Sequence, residues 1–243
     1  MTTPGSISGT FAFALSNAQI VIEAFDRIGF EPAKLTRHHM TSAWNSLNLE
    51  LSSWDLKGFS LWKLTSGTIN LVAGQGSQTS PYALPANLVT LTDVWYTTVD
   101  ITGGGVNNTD RLMTPLTREQ YAAISNKNTL GTPMQYWFQR LATPQLVLWQ
   151  VPSAGAPNYV INWFGLQQIQ DAGIGSGETP DVLLRGLDAL IAGLTRRLAE
   201  KFAPARLKEK AELANEAWAI FATDDQEAGP LVVRPNLGDY GRI

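Results

Sequence analysis

The sequence predicts an α+β fold: an antiparallel helical bundle formed by N- and C-terminal helix pairs, with an inserted antiparallel β module and an extended C-terminal tail. Three observations carry that prediction. Apolar residues recur at helical spacing near both ends of the chain, at Val21, Ala24, Phe25 and Ile28 and again at Leu183, Leu187, Leu190 and Leu194. Two stretches between them, Leu64 to Thr92 and Leu141 to Gln170, contain no charged residue. The closing "GPLVVRPNLGDYGRI" has two prolines, three glycines and no helical period.

The elements follow in order. Ser16 with Gln19 fits a capping box, and the first helix runs to Gly29, which offers a C-terminal stop. Thr36 can cap a second helix whose Met40, Trp44, Leu47, Leu51 and Trp54 form a stripe ending at Gly58. Leu35, Leu49 and Leu56 fall on its opposite face, so this helix has two sides to bury. Strands are expected over Thr68 to Ala73, Leu88 to Thr97, Met134 to Ala142, Gln145 to Gln150 and Tyr159 to Phe164, separated by Gly, Pro, Asn and Ser. "ATPQ" reads as a hairpin turn, and Thr117 with Gln120 caps one short helix lying across the sheet. Thr179, Pro180 and Asp181 together predict the start of the third long helix, whose stripe continues to Phe202 before Pro204 interrupts it. A fourth carries Leu207, Ala211, Ala214, Trp218 and Phe221. The expected divisions are residues 1–59 and 176–225 for the two helix pairs, 60–175 for the β module with its short helix, and 226–243 for the tail.

At 243 residues and 44% hydrophobic, the chain can bury a substantial core. A net charge of −3 and a pI near 5.4 argue against a free-standing nucleic-acid binder. The absence of cysteine excludes disulfides, thiolate catalysis and cysteine-ligated zinc. "MTTPGSISGTFAFALS" has no Lys or Arg ahead of its apolar patch, and no apolar run approaches the roughly 18 residues a bilayer span needs. The expectation is a soluble, unprocessed chain made in the cytoplasm.

Candidate chemistry is sparse. His38 and His39 are neighbours on a helix, about 100° apart, and cannot share a metal as an i, i+4 pair can. "ITGGGVNN", residues 101–108, lacks a Gly-Lys-Ser/Thr ending and reads as a hairpin tip. Asp224, Asp225 and Glu227 do not match a calcium loop and read as an acidic helix exit. No cofactor, metal or catalytic residue is assigned. Arg185 and Arg196, with Ala189, Ala192 and Gly193 beside them, mark a possible subunit interface, joined by Leu49 and Leu56. In the tail, Leu231, Val232 and Val233, with Arg234, Leu237 and Tyr240, form a candidate docking segment. Ordering a residue costs on the order of 1 to 2 kcal/mol, so such a segment needs a surface that offsets this.

The segments "LNLELSSWDLKGFSLWKL", "VAGQGSQTSPYALP", "MTPLTREQYAAISNKNTLGTPMQYWFQR", "LVLWQVP" and "DVLLRGLDALIAGLTRRLAEKF" follow one another in an order that resembles the head-to-tail adaptor proteins of short-tailed phages, the tail tubular protein A type. The resemblance spans roughly residues 15 to 225; "LVLWQVP" departs from it in lacking an aromatic near the strand start and in its spacing to proline. It implies a structural, non-enzymatic part of the virion, assembled in the host cytoplasm at the head-to-tail interface. It further implies a homo-oligomeric ring of twelve copies that binds the portal protein and carries the tail nozzle protein, with DNA passing through its channel without specific binding and no membrane involved. The C-terminal segment, Gly229 to Ile243 here, would dock onto the portal or a neighbouring subunit. Two alternatives stand beside this one. Trp62, Trp95, Trp137, Trp149 and Trp163 all fall in the β region and would suit a glycan-binding tail module if exposed. A tail-associated cell-wall hydrolase would need a carboxylate pair, for which Glu119, Asp93, Asp100 and Asp110 are the candidates.

Overall fold

The computed structural model describes residues 13–57, 61–98, 109–153, 159–173 and 177–224. Helix α1, Asn17–Arg27, starts as the sequence predicts: Ser16 Oγ accepts from Gln19 N at 3.3 Å and Gln19 Oε1 accepts from Ser16 N at 2.9 Å. Its end is a Schellman motif. Gly29 at φ 75° donates to Asp26 O and Phe30 N donates to Phe25 O, while the Phe25 and Phe30 rings meet at 5.6 Å. Helix α2, Arg37–Lys57, is capped by Thr36, whose Oγ1 accepts from His39 N and whose own N–H donates to His39 Nδ1 at 3.1 Å. His39 therefore takes the place of Glu or Gln in a capping box, and its ring packs edge-on against Phe30 and Phe202.

The chain then enters strand sequence. Strands β1 (Leu64–Asn70), β2 (Tyr82–Ala83), β3 (Leu88–Thr98), β4 (Thr109–Leu112) and β5 (Thr114–Pro115) precede the short helix α3, Arg118–Ala123. Strands β6 (Leu130–Gly131), β7 (Gln135–Gln139), β8 (Gln145–Trp149), β9 (Val151–Pro152) and β10 (Tyr159–Gln167) follow it. One sheet has the order β1-β10-β3-β4 and is antiparallel throughout. A second has the order β2-β8-β7-β5 and shares a core with the first, built from Val94, Tyr96, Ile161 and Trp163 on one side and Tyr82, Tyr136, Leu146 and Leu148 on the other.

The pairing is not antiparallel everywhere. β5 runs parallel to β7, and β6 runs parallel to β9. The reason lies in the connections, because parallel neighbours need a long crossover. The chain between β5 and β7 includes α3, and the chain between β6 and β9 includes the β7–β8 hairpin. As expected, α3 lies over strand residues: Tyr121 stacks on Trp137 with centroids 5.0 Å apart.

The return to helix differs from the sequence reading. Thr179 to Leu183 is not helical; a 3-10 turn covers Leu184–Gly186, and α4 runs Leu187–Phe202. The groups expected to start a helix are engaged elsewhere. Asp181 accepts from Lys63 Nζ and from Gln170 N, and Glu178 O accepts from Asn17 N at 2.8 Å. Tertiary bonds to β1's approach and to α1 thus outcompete the local start signal. After α4 a second 3-10 turn, Pro204–Arg206, leads into α5, Leu207–Asp224.

α1, α2, α4 and α5 contribute to one apolar core, with Phe25, Leu47, Trp54, Leu190, Leu194 and Phe221 all nearly inaccessible. α4 is buried on almost every side and contacts α1, α2 and α5. The segment joining β10 to α4 is held by side chains of the first two helices: Ile169 N donates to Asp55 Oδ1, Ala172 N donates to Asn48 Oδ1, and Asn17 Nδ2 donates to Ala172 O.

Candidate assembly surfaces

The centre of the α2–α4 contact is a buried carboxylate. Glu50 lies in the middle of the apolar stripe of α2 and is 2% exposed. Arg197 Nε donates to its Oε2 at 2.5 Å, Arg196 Nη2 lies 3.6 Å from the same oxygen, and Trp54 Nε1 donates to Oε1 at 3.2 Å. A buried charge is tolerated only when paired and hydrogen-bonded, which these three partners achieve. Gly193 makes room for it, since a Cβ there would sit 2.5 Å from Glu50 Oε1. One and two turns toward the start of α2, Ser46 Oγ and Ser42 Oγ accept from Lys201 Nζ at 2.8 and 3.1 Å. The basic side of α4 is therefore zipped to the polar residues of α2.

This geometry places the residues singled out from sequence. Arg196 is tied to Glu50 of its own chain, although its side chain keeps 37% exposure. Ala189, Ala192 and Gly193 are buried, and the helices approaching Ala189 and Gly193 are α2 and α5 of the same chain. Arg185 sits in the exposed 3-10 turn ahead of α4 rather than on that helix. Leu49 and Leu56, two turns apart on α2, are 58% and 88% exposed, while Leu35 packs against the core. Leu231, Val232, Val233, Arg234, Leu237 and Tyr240 lie outside the described residues, as do residues 101–108, Asp100, Asp225 and Glu227.

Two grooves were not visible in the sequence. One, of about 500 Å³, runs between α1 and α4, with Phe13, Leu15, Ile22, Leu184 and Ile191 below a rim of Glu23, Asp26 and Asp188. Arg27 bridges that rim, to Glu23 at 3.0 Å and Asp188 at 2.9 Å; burial alone would lower its pKa, and the two carboxylates more than reverse this. The other, of about 630 Å³, lies along Met40, Trp44, Asn45 and Asn48 of α2. Both form between residues far apart in sequence or on a face that no single helix completes.

His38 is exposed and His39 is a cap. No cluster of three or more His, Asp or Glu able to hold a metal occurs among the described residues. Asp110 accepts from Thr97 Oγ1 at 2.5 Å, and Glu119 is exposed on α3. No described helix is long and apolar enough to cross a membrane.

Of the tryptophans of the β region, Trp163 is buried in the core of the two sheets, and Trp62 packs against the helical core. Trp95, Trp137 and Trp149 are part-exposed.

No curated protein matches the chain. The profile of the SU10 adaptor protein family matches residues 34–234, from the turn before α2 through α5 and beyond. That span includes the buried Glu50, both four-stranded sheets and the central helix α4. The chain belongs to the SU10 adaptor protein family, structural phage proteins of the head-to-tail connection and components of the virion.

Proposed function

We propose that this adaptor works as a ring, of twelve copies, that binds the portal and carries the tail nozzle around the DNA channel. The observation that carries the reading is α2. Family membership calls for contacts with portal and tail proteins, and α2 is buried along one side yet presents Leu49 and Leu56 on the other. Large apolar side chains two turns apart on a rigid helix suit a subunit contact. In this reading Arg185, in the exposed turn before α4, and Arg196, which retains guanidinium donors beyond the one directed at Glu50, add polar contacts to that interface.

In this reading residues 1–59 and 176–225 form the antiparallel bundle that builds the ring, and 60–175 are an insertion facing the tail or the periphery. Residues 226–243 are the docking tail, with Leu231, Val232, Val233, Leu237 and Tyr240 entering apolar sites on the portal or a neighbour and Arg234 pairing there. The mildly acidic chain, at net −3, suits a channel through which DNA slides, because a lysine-lined wall would hold it by salt-dependent phosphate contacts. Assembly takes place in the host cytoplasm, and the mature site is the head-to-tail interface of the virion.

The test is electron microscopy of this protein mixed with portal rings from the same source, beside each component alone. A collar of added density below the portal, with countable subunits, is expected. Bare portals beside folded adaptor would refute the reading. Removal of residues 229–243 is expected to leave a folded protein that fails to attach, and attachment at the wild-type level would refute the role of the tail.

A further inference from the structure

We propose that the outward face of the β1-β10-β3-β4 sheet binds a neutral, N-acetylated pyranose oligosaccharide. Partners across a ladder share a face of the sheet. Thr68, Asn162 and Trp95 stand in one such row, with Ser66 and Phe164 in the next. The alternating residues Val94, Tyr96, Ile161 and Trp163 form the core, so this row and its neighbour lie on the other side. The Trp95 and Phe164 rings meet at 5.0 Å, and Phe164 is 39% exposed. With Ser66, Thr68 and Asn162 they line an open cleft of about 440 Å³.

The polar half of the site is held in place. Asn162 Nδ2 donates to Thr97 Oγ1 at 2.8 Å, and Thr97 Oγ1 donates to Asp110 Oδ1 at 2.5 Å. This relay fixes the Asn162 amide and leaves its Oδ1 and the second Asp110 oxygen as acceptors. A pyranose ring meets both demands, with a C–H face for the aromatic rings and hydroxyls for the acceptors. An acetamido group adds an N–H for Asn162 Oδ1 and a methyl for the adjacent ring.

Charge narrows the class. None of the cleft residues is cationic and Asp110 stands at its edge, so a uronic or phosphorylated polymer would be repelled. A purely apolar partner would strand the amide and carboxylate. The inference does not depend on ring assembly.

The experiment titrates the full-length protein with chitohexaose, followed by tryptophan fluorescence and calorimetry, with cellohexaose and polygalacturonate as comparators. Saturable binding of chitohexaose is expected, weaker binding of cellohexaose, and none of polygalacturonate. Trp95→Ala and Ser66→Lys should each weaken chitohexaose binding by about tenfold or more, a loss of about 1.4 kcal/mol. Ser66 is exposed on an edge strand, so its variant tests the site without disturbing the core; thermal unfolding verifies both variants. No binding of chitohexaose, binding undiminished in both variants, or a preference for polygalacturonate would overturn the proposal. Equal affinity for cellohexaose would overturn the acetamido assignment. Loss of attachment to portal rings in these variants, without any glycan binding by the wild type, would make the face a protein contact and refute the proposal.

Discussion

Replacing Gly193 by alanine should change sign with the residue opposite it. In a helix interior Ala is favoured over Gly by about 1 kcal/mol. Here the added methyl would stand 2.5 Å from Glu50 Oε1 and 2.8 Å from its Cδ, closer than a Cβ contact allows. The carboxylate must move, which weakens its bonds from Trp54 and Arg197; hydrogen bonds to charged groups contribute about 1.5 to 3 kcal/mol each. The net expectation for Gly193→Ala is a loss of about 1 to 2 kcal/mol.

Glu50→Ala by itself strands two arginines and an indole N–H. It should cost about 3 kcal/mol, the low end for a broken buried pair, because Arg196 and Arg197 keep 37% and 25% side-chain exposure and can rehydrate. With the carboxylate gone the obstruction is gone, so Gly193→Ala added to Glu50→Ala should stabilise by about 1 kcal/mol. Urea unfolding of the four proteins measures the cycle. A stabilising Gly193→Ala in the wild-type background, or an equal loss in both backgrounds, would show that the glycine is not there to admit Glu50.

Other outcomes follow from single positions. Gly29→Ala forces a β-carbon into φ 75° and against the Arg206 guanidinium, and should lower stability by about 1 to 2 kcal/mol in urea titration. Leu56→Lys, at an 88% exposed site, should leave the unfolding midpoint unchanged yet reduce ring density by electron microscopy; an unaltered ring would remove Leu56 from the interface. Burial pushes the Asp55 carboxyl above its ordinary range, against the lowering effect of the Ile169 N–H and Lys63. A raised carboxyl pKa contributes stability at low pH that is lost as pH rises from the unfolded value, about 3.9, through the folded one. The stability of Asp55→Asn relative to wild type should therefore be greater at pH 7 than at pH 4, and a pH-independent difference would contradict this.

Local chemistry was legible wherever a residue acts within a few positions of itself. The boxes at Ser16–Gln19 and Thr117–Gln120 and the stop at Gly29 formed where their spacing placed them, because an N-cap or a left-handed glycine satisfies backbone groups in its own turn. Strands β1, β3, β8 and β10 arise within or from the charge-free runs, and alternate residues of β3, β8 and β10 face a shared core. The order of segments also carried the kinship with head-to-tail adaptors, and the SU10 adaptor family is a family of that kind.

Tertiary structure decided the rest. Thr179-Pro180-Asp181 has the composition of a helix start, but Asp181 is taken by Lys63 and Gln170, partners that no local window contains. The small residues of α4 looked like a site for a foreign helix, and the chain's own α2 and α5 fill it. The partners of Glu50, Arg196 and Arg197, lie far from it in sequence, Arg197 by 147 residues, and meet it only once α4 packs on α2. Which tryptophan reaches the surface likewise depends on which sheet covers the other, so Trp163 is core and Trp95 is not. Sequence determined what each segment could form alone, through hydrogen bonds and periodicity within a few residues. Long-range packing determined which side chains remained available for assembly and ligands, because burial and ion pairing are properties of segments brought together from distant parts of the chain.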